Sequence, residues 1–136
     1  MLPESRSALE KVVELAALLD DRIAGRSLPD YENDGDLQAI AERHLITIGE
    51  ALARVARKDP ALFAQLPEGR EVVDFRNVLV HGYDIIDQEV VWSALTQDLQ
   101  RLAAAARAPS APLTKGDRLQ PVPAATRAIA RSSPPP

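Results

Sequence analysis

Apolar residues recur along this chain with the three- and four-residue rhythm of helices, and nowhere with the two-residue alternation of strands. The first predicted helix covers about Glu4–Ala24, with Leu9, Val12, Val13, Ala16, Leu19 and Ile23 on one face. Ser5 or Ser7 is suited to cap it, and Gly25 to stop it. The stretch GRSLPDYENDG that follows reads as a loop, rich in Gly, Pro, Asn and Asp.

A second helix is predicted over about Asp36–Lys58, where Leu37, Ile40, Ala41, His44, Leu45, Ile48, Ala51, Leu52 and Val55 share one stripe. Gly49 inside it costs about 1 kcal/mol against alanine, which predicts close packing of another backbone there. Asp59-Pro60 ends the helix, because a residue before proline avoids the helical region. ALFAQLPEG is then a connector with room for one short helical turn. A third helix, about Arg70–His81, carries Val73, Val78 and Leu79 and stops at Gly82. After the turn DIID, a fourth helix over about Gln88–Arg107 points Val91, Leu95, Leu99 and Leu102 inward, with Trp92 in its first turns.

From Pro109 the periodicity dissolves, and seven of the eleven prolines fall in the last 28 residues. That composition cannot bury enough surface to offset its ordering entropy, so residues 109–136 are expected to be a disordered tail. The expected architecture is an all-α bundle of four or five helices over residues 1–108.

Composition and charge narrow the chemistry. With no cysteine, disulfides, thiolate metal sites and cysteine nucleophiles are excluded. No segment reads as a signal peptide, and no apolar run nears the roughly 20 residues that span a bilayer, so a cytoplasmic protein is expected. The tail holds Lys115, Arg118, Arg127 and Arg131 against Asp117, a net +3. Taking that +3 from the whole-chain −4 leaves residues 1–108 at −7. So acidic a body argues against a broad nucleic-acid groove; any such chemistry rests on a small local site.

The stretch RNVLVHGYDIID, Arg76 to Asp87, holds the candidate site. At about 100° per residue, Asn77 and His81 are roughly 40° apart and share a face. Arg76 and His81 are about 140° apart and about 7.5 Å along the axis, so they do not converge within one helix. A two-fold copy would bring the arginine of one chain toward the histidine of the other. The residue types suit phosphodiester cleavage in RNA. Histidine moves protons near neutrality, arginine matches phosphate oxygens with a planar fork, and attack by the ribose 2′-OH needs neither metal nor protein nucleophile. From spacing alone a plain structural role is the favoured reading. Arg76 could pair with Asp74 or Glu71, His81 could serve the helix dipole, and Tyr83 could be a half-buried anchor.

Elsewhere the candidates thin out. His44 falls on the apolar stripe and reads as core or interface, while Glu42, Arg43 and Glu50 read as solvent-facing. The run Asp30, Glu32, Asp34, Asp36 fails the EF-hand spacing, so no metal site is expected.

Taken together, AERHLITIGEALARV, then FRNVLVHGYDIID some twenty residues on, then VVWSALTQDLQRL, resemble the HepT family of HEPN-domain toxins over roughly residues 8–105. The resemblance implies a HEPN helical bundle that dimerises to build a composite, metal-independent ribonuclease site acting on RNA. By position, Arg76 and His81 would be the catalytic pair and Asn77 a polar supporter. Gly49 and Glu50 match the GE of the second helix, where packing near the site is implied. Tyr83 matches the tyrosine that a cognate MNT-type nucleotidyltransferase antitoxin modifies with AMP, so ATP is the partner's substrate and this chain holds no cofactor. Asp84, in place of a common aromatic residue, and LPEGREVVDF, which lacks a tryptophan often found there, depart from the pattern. A second reading is a non-catalytic HEPN module that binds a nucleotidyltransferase and its nucleotide.

Overall fold

Leu9, Val12, Ala16, Leu19 and Ile23 are buried along one side of α1 (Pro3–Ile23), as their spacing requires. The computed structural model describes residues 1–82 and 86–107, and these are all-α, without strands. The tail and Tyr83–Ile85 lie outside the described residues. Neither Ser5 nor Ser7 caps α1. Pro3 takes the first helical position, where its fixed φ and missing N–H do no harm, so the helix starts earlier and Leu2 stands at the cap without a side-chain bond.

The expected loop GRSLPDYENDG contains a five-residue helix, α2 (Leu28–Glu32). A capping box starts it: Asp30 N–H donates to Ser27 Oγ (3.3 Å), and Ser27 N–H donates to Asp30 Oδ2 (3.0 Å). Its purpose is packing, because Tyr31 is wholly buried and its ring meets Trp92 at 5.4 Å between centroids, tilted by 36°. Asp34 then accepts from Leu37 N–H (3.0 Å) as the cap of α3 (Gly35–Lys58) and pairs with Arg26 at 3.0 Å. Two residues of the acidic run, Asp30 and Asp34, therefore serve as helix caps.

Helix α3 is the spine, with α1 and α5 (Gly69–His81) packed along it. Leu37, Ala41, Leu45, Ile48, Ala51, Leu52 and Val55 are buried, while Ile40 and His44 are half-buried. The connector forms the short α4 (Pro60–Phe63), and Glu68 takes the left-handed conformation (φ 59°) that turns the chain into α5. Arg101 holds this corner with ion pairs of 3.1 Å to both Glu68 and Asp98. On α5 the core residues are Val72, Val73 and Leu79. Val78, expected to face inward, is 39% exposed instead, because α5 meets the bundle along a single side.

The fourth predicted helix runs over its expected span, but with a defect. Helix α6 (Gln88–Ser93) passes into a π-helical turn (Ala94–Asp98) and on into α7 (Leu99–Arg107), with right-handed backbone at both junctions. Val91, Leu95, Leu99 and Leu102 are all buried. No described helix is long and apolar enough to cross a membrane.

Candidate active site

Helix α5 ends where the candidate chemistry begins. Gly82 adopts φ 61° and donates its N–H to Val78 O at 3.2 Å, closing the helix directly after His81. His81 and Asn77 are both exposed on this last stretch, one turn apart. Arg76 behaves differently. It is half-buried, and it lies across α3 at Gly49.

That crossing explains the glycine. A Cβ built on Gly49 would overlap Arg76 Cβ, reach Arg76 Cγ at 2.7 Å and stand 3.3 Å from Val72 O. The prediction of a close backbone approach at Gly49 holds, and the approaching group is the root of Arg76. The aliphatic stem is thus fixed while the guanidinium projects onward. Asp74 and Glu71, its possible structural partners on the same helix, do not take it: Asp74 faces Arg70 at 4.0 Å. Arg76 makes no ion pair or hydrogen bond among the described residues, and its Nε is buried without a partner. A cation so placed retains its full capacity to accept a phosphate's oxygens as partners.

Beside α5 runs a groove of about 410 Å³, floored by Leu45 and bordered by Phe75 and Val78 on α5 and by Val90 and Ala94 across it. Val78 and Val90 (49% exposed) bring large apolar side chains to the surface at the groove, and Val80 (48% exposed) does so on another side of α5. Glu71, Asp74 and Asp98 make its other end acidic. Burial and the neighbouring Glu68 carboxylate push the Asp98 carboxyl above its ordinary range.

The remaining candidates separate. Glu50 is exposed on α3, one residue beyond the Arg76 seat. His44 is half-buried, and desolvation, with Arg22 and Arg43 behind it, lowers its pKa. Glu42, expected to face solvent, is half-buried and accepts from Gln88 Nε2 at 3.0 Å. Tyr31 completes this inner corner. Its hydroxyl is buried with no partner, and burial together with the Glu42 carboxylate pushes its phenol upward. Sequence reading missed this corner, since Tyr31 stood in an expected loop and only the Ser27–Asp30 capping spacing signalled a helix. Tyr83 lies outside the described residues. Among the described residues no three acidic or imidazole groups cluster as metal ligands.

The chain is similar to known proteins over most of its described length. A family model described as "Ribonuclease HepT-like" matches residues 9–108. A protein named as an RNase from Caldanaerobacter subterraneus subsp. tengcongensis is 25% identical over 97 residues, covering 71% of this chain and 86% of that one. A protein named as a ribonuclease HepT from Thermococcus cleftensis is 28% identical over 94 residues, covering 69% of this chain and 84% of that one. No solved structure matches the chain. With the matched span taking in α3, the Arg76 seat and all of α5, the chain belongs to the HepT-like ribonuclease family.

Proposed function

We propose that this protein is a metal-independent endoribonuclease whose site is shared between two copies of α5. The observation that carries the reading is Arg76: rooted against Gly49, half-buried, and without an anionic partner among the described residues on a strongly acidic body. Its role is to neutralise the charge that grows on the scissile phosphate as a fifth oxygen bonds to phosphorus. The nucleophile is the ribose 2′-oxygen. It displaces the 5′-oxygen, leaving a 2′,3′-cyclic phosphate and a 5′-hydroxyl end. One proton leaves the 2′-OH and one reaches the 5′-oxygen, and His81 carries one of these transfers. Asn77, on the same face as His81, supplies a polar contact to the strand, and Glu50 supports the Arg76 seat.

The five-residue separation of Arg76 and His81 favours pairing across a two-fold axis. Support for such an interface comes from the exposed apolar side chains of Val78 and Val90, which border one groove, and from Val80, exposed one residue before His81. The protein would act as the toxin of a two-gene pair. Its antitoxin, an MNT-type nucleotidyltransferase, would join AMP from ATP to the Tyr83 phenol oxygen with release of pyrophosphate. The added phosphate and bulk, two residues from His81, would compete with RNA for Arg76.

The decisive experiment mixes two inactive variants, Arg76→Ala and His81→Ala, after each is dissociated. A heterodimer restores one intact site of two, and random pairing makes half the dimers mixed, so about a quarter of wild-type RNA cleavage should return. No recovery from variants that do exchange subunits sinks the shared site. Wild-type protein that leaves RNA intact in the presence of a chelator leaves the non-catalytic module as the better reading. For the modification, intact mass should rise by one AMP with the partner and ATP, and Tyr83→Phe should abolish the gain.

A further inference from the structure

On the other side of α3 lies a second cavity, of about 580 Å³, lined by Pro3, Glu4, Ser5 and Ala8 from α1 and by Arg54 and Lys58 from α3. We propose that it is a binding site for a phosphate monoester, separate from the Arg76–His81 site. Counting along α3, Arg54 and Lys58 stand about 140° and about 180° around the axis from Gly49, which puts them away from α5 and at the exposed edge beside α1.

Four features converge there. Helix α1 is 21 residues long, and its first turn has no side-chain cap; the first bond of its ladder is Arg6 N–H to Leu2 O, at 3.0 Å. The N–H groups of Glu4 and Ser5 are therefore left at the positive end of the helix dipole. Ser5 lines the cavity at 2% exposure, and its hydroxyl is buried with no hydrogen-bond partner. Such a donor calls for a partner that the protein itself does not provide. Finally, Arg54 and Lys58 are one turn apart on α3, and neither forms an ion pair among the described residues.

Cations at the end of α3 also serve its dipole, and Arg57 beside them does no more than that. Dipole complementation, however, requires neither a cavity nor an orphan hydroxyl in the first turn of the neighbouring helix α1. Two backbone donors, one hydroxyl, a guanidinium and an ammonium together match the oxygens and charge of a phosphate. Glu4 opposes it with one carboxylate, which sets a preference for a dianion over a monoanion. The apolar remainder of the wall, with Pro3, Ala8, Val55 and the aliphatic stems of Arg54 and Lys58, would cover the body of a nucleotide or the 5′ end of an RNA strand. Only the RNA source rests on the ribonuclease reading.

The test titrates the full-length protein with inorganic phosphate and follows backbone amides by NMR. The Glu4 and Ser5 amides should shift saturably. Arg54→Gln/Lys58→Gln should weaken that binding at least tenfold and Ser5→Ala severalfold, Glu4→Gln should tighten it, and Arg76→Ala should leave it unchanged. Two further arms use a mononucleotide and a pair of short RNAs, 5′-phosphorylated and 5′-hydroxylated, with His81→Ala protein to prevent cleavage. Tighter binding of the phosphorylated RNA assigns an RNA end; mononucleotide binding with no difference between the RNAs assigns a free nucleotide. Saturable shifts without any RNA cleavage would keep this site while the nuclease reading fell. Amides of Glu4 and Ser5 that stay still at millimolar phosphate, or a double variant that binds as wild type does, would overturn the proposal.

Discussion

Replacing Gly49 by alanine should disable the site far more than it destabilises the fold. The added methyl would overlap Arg76 Cβ and lie 2.7 Å from Arg76 Cγ, where carbon atoms rest at about 3.5–4.0 Å. Rotating one flexible side chain cannot relieve it, because Cβ moves only with its backbone and Val72 O already stands 3.3 Å from the same point. The remedy is for α5 to lift away from α3 by about 1 Å. Overpacking of that kind costs about 1–3 kcal/mol, and the helix-propensity gain of alanine over glycine returns about 1 kcal/mol. A net loss between zero and about 2 kcal/mol follows. A displacement of about 1 Å at a reacting group costs roughly 10²-fold in rate, so activity should fall far beyond what the stability change accounts for.

The assay pairs denaturant unfolding with kcat/KM on a short RNA, and its control is Gly35→Ala. Gly35 begins α3 with nothing within 4 Å of its would-be Cβ, so alanine there should leave both quantities near wild type. Gly49→Ala protein that gains about 1 kcal/mol and cleaves RNA at full rate would refute the reasoning. The propensity gain would then stand unopposed, and α5 could not be seated on α3 as described.

Three other outcomes test separate parts of the molecule. Tyr31→Phe should change stability by less than about 1 kcal/mol in chemical denaturation, since the hydroxyl has no partner to lose, whereas Tyr31→Ala should cost about 3–5 kcal/mol by emptying the space beside Trp92. Val80→Glu should give monomers in sedimentation and abolish cleavage while shifting stability of the monomer by no more than about 0.5 kcal/mol; a dimer that persists would place the interface elsewhere. His44 has a folded-state pKa below its ordinary value near 6.5, so the unfolded chain takes up protons first as pH falls. Its contribution to stability is therefore intact above about pH 6.5, declines below it, and levels off beneath the folded pKa; His44→Gln should remove this part of the pH dependence, and an identical profile would argue against it.

How much of this was legible from residues alone follows from which forces act locally. The core stripes of α1, α3 and the last helix are periodic over five or more turns, so burial repeats the pattern almost residue for residue. Short elements obey tertiary contacts instead. Leu28–Glu32 looks like a loop by composition, yet a capping box and the docking of Tyr31 on Trp92 make it a helix. Val78 fits an inward stripe on a helical wheel, but a 13-residue helix with one packed side has only Val72, Val73 and Leu79 to spend on it. Ser5 illustrates the same limit from the other direction. Its residue type suggests a cap, and only the position of Pro3 decides that it becomes a buried hydroxyl in the first turn.

The site divides along the same line. That Arg76 and His81 cannot meet on one helix is a consequence of 3.6 residues per turn, and needs no coordinates. That Arg76 is set apart from its acidic neighbours follows from the same geometry, since Asp74 and Glu71, two and five residues away, stand about 160° and about 140° around the helix. What the structure adds is the seat at Gly49. With no side chain there, the arginine's root settles onto α3, while Arg70 meets Asp74 and Glu71 is exposed. A glycine costing about 1 kcal/mol inside a helix fits this point because any side chain there would push Arg76 out of place. The glycine inside α3 and the arginine of α5 thus pack as one unit, and a substitution at either should be felt at the other.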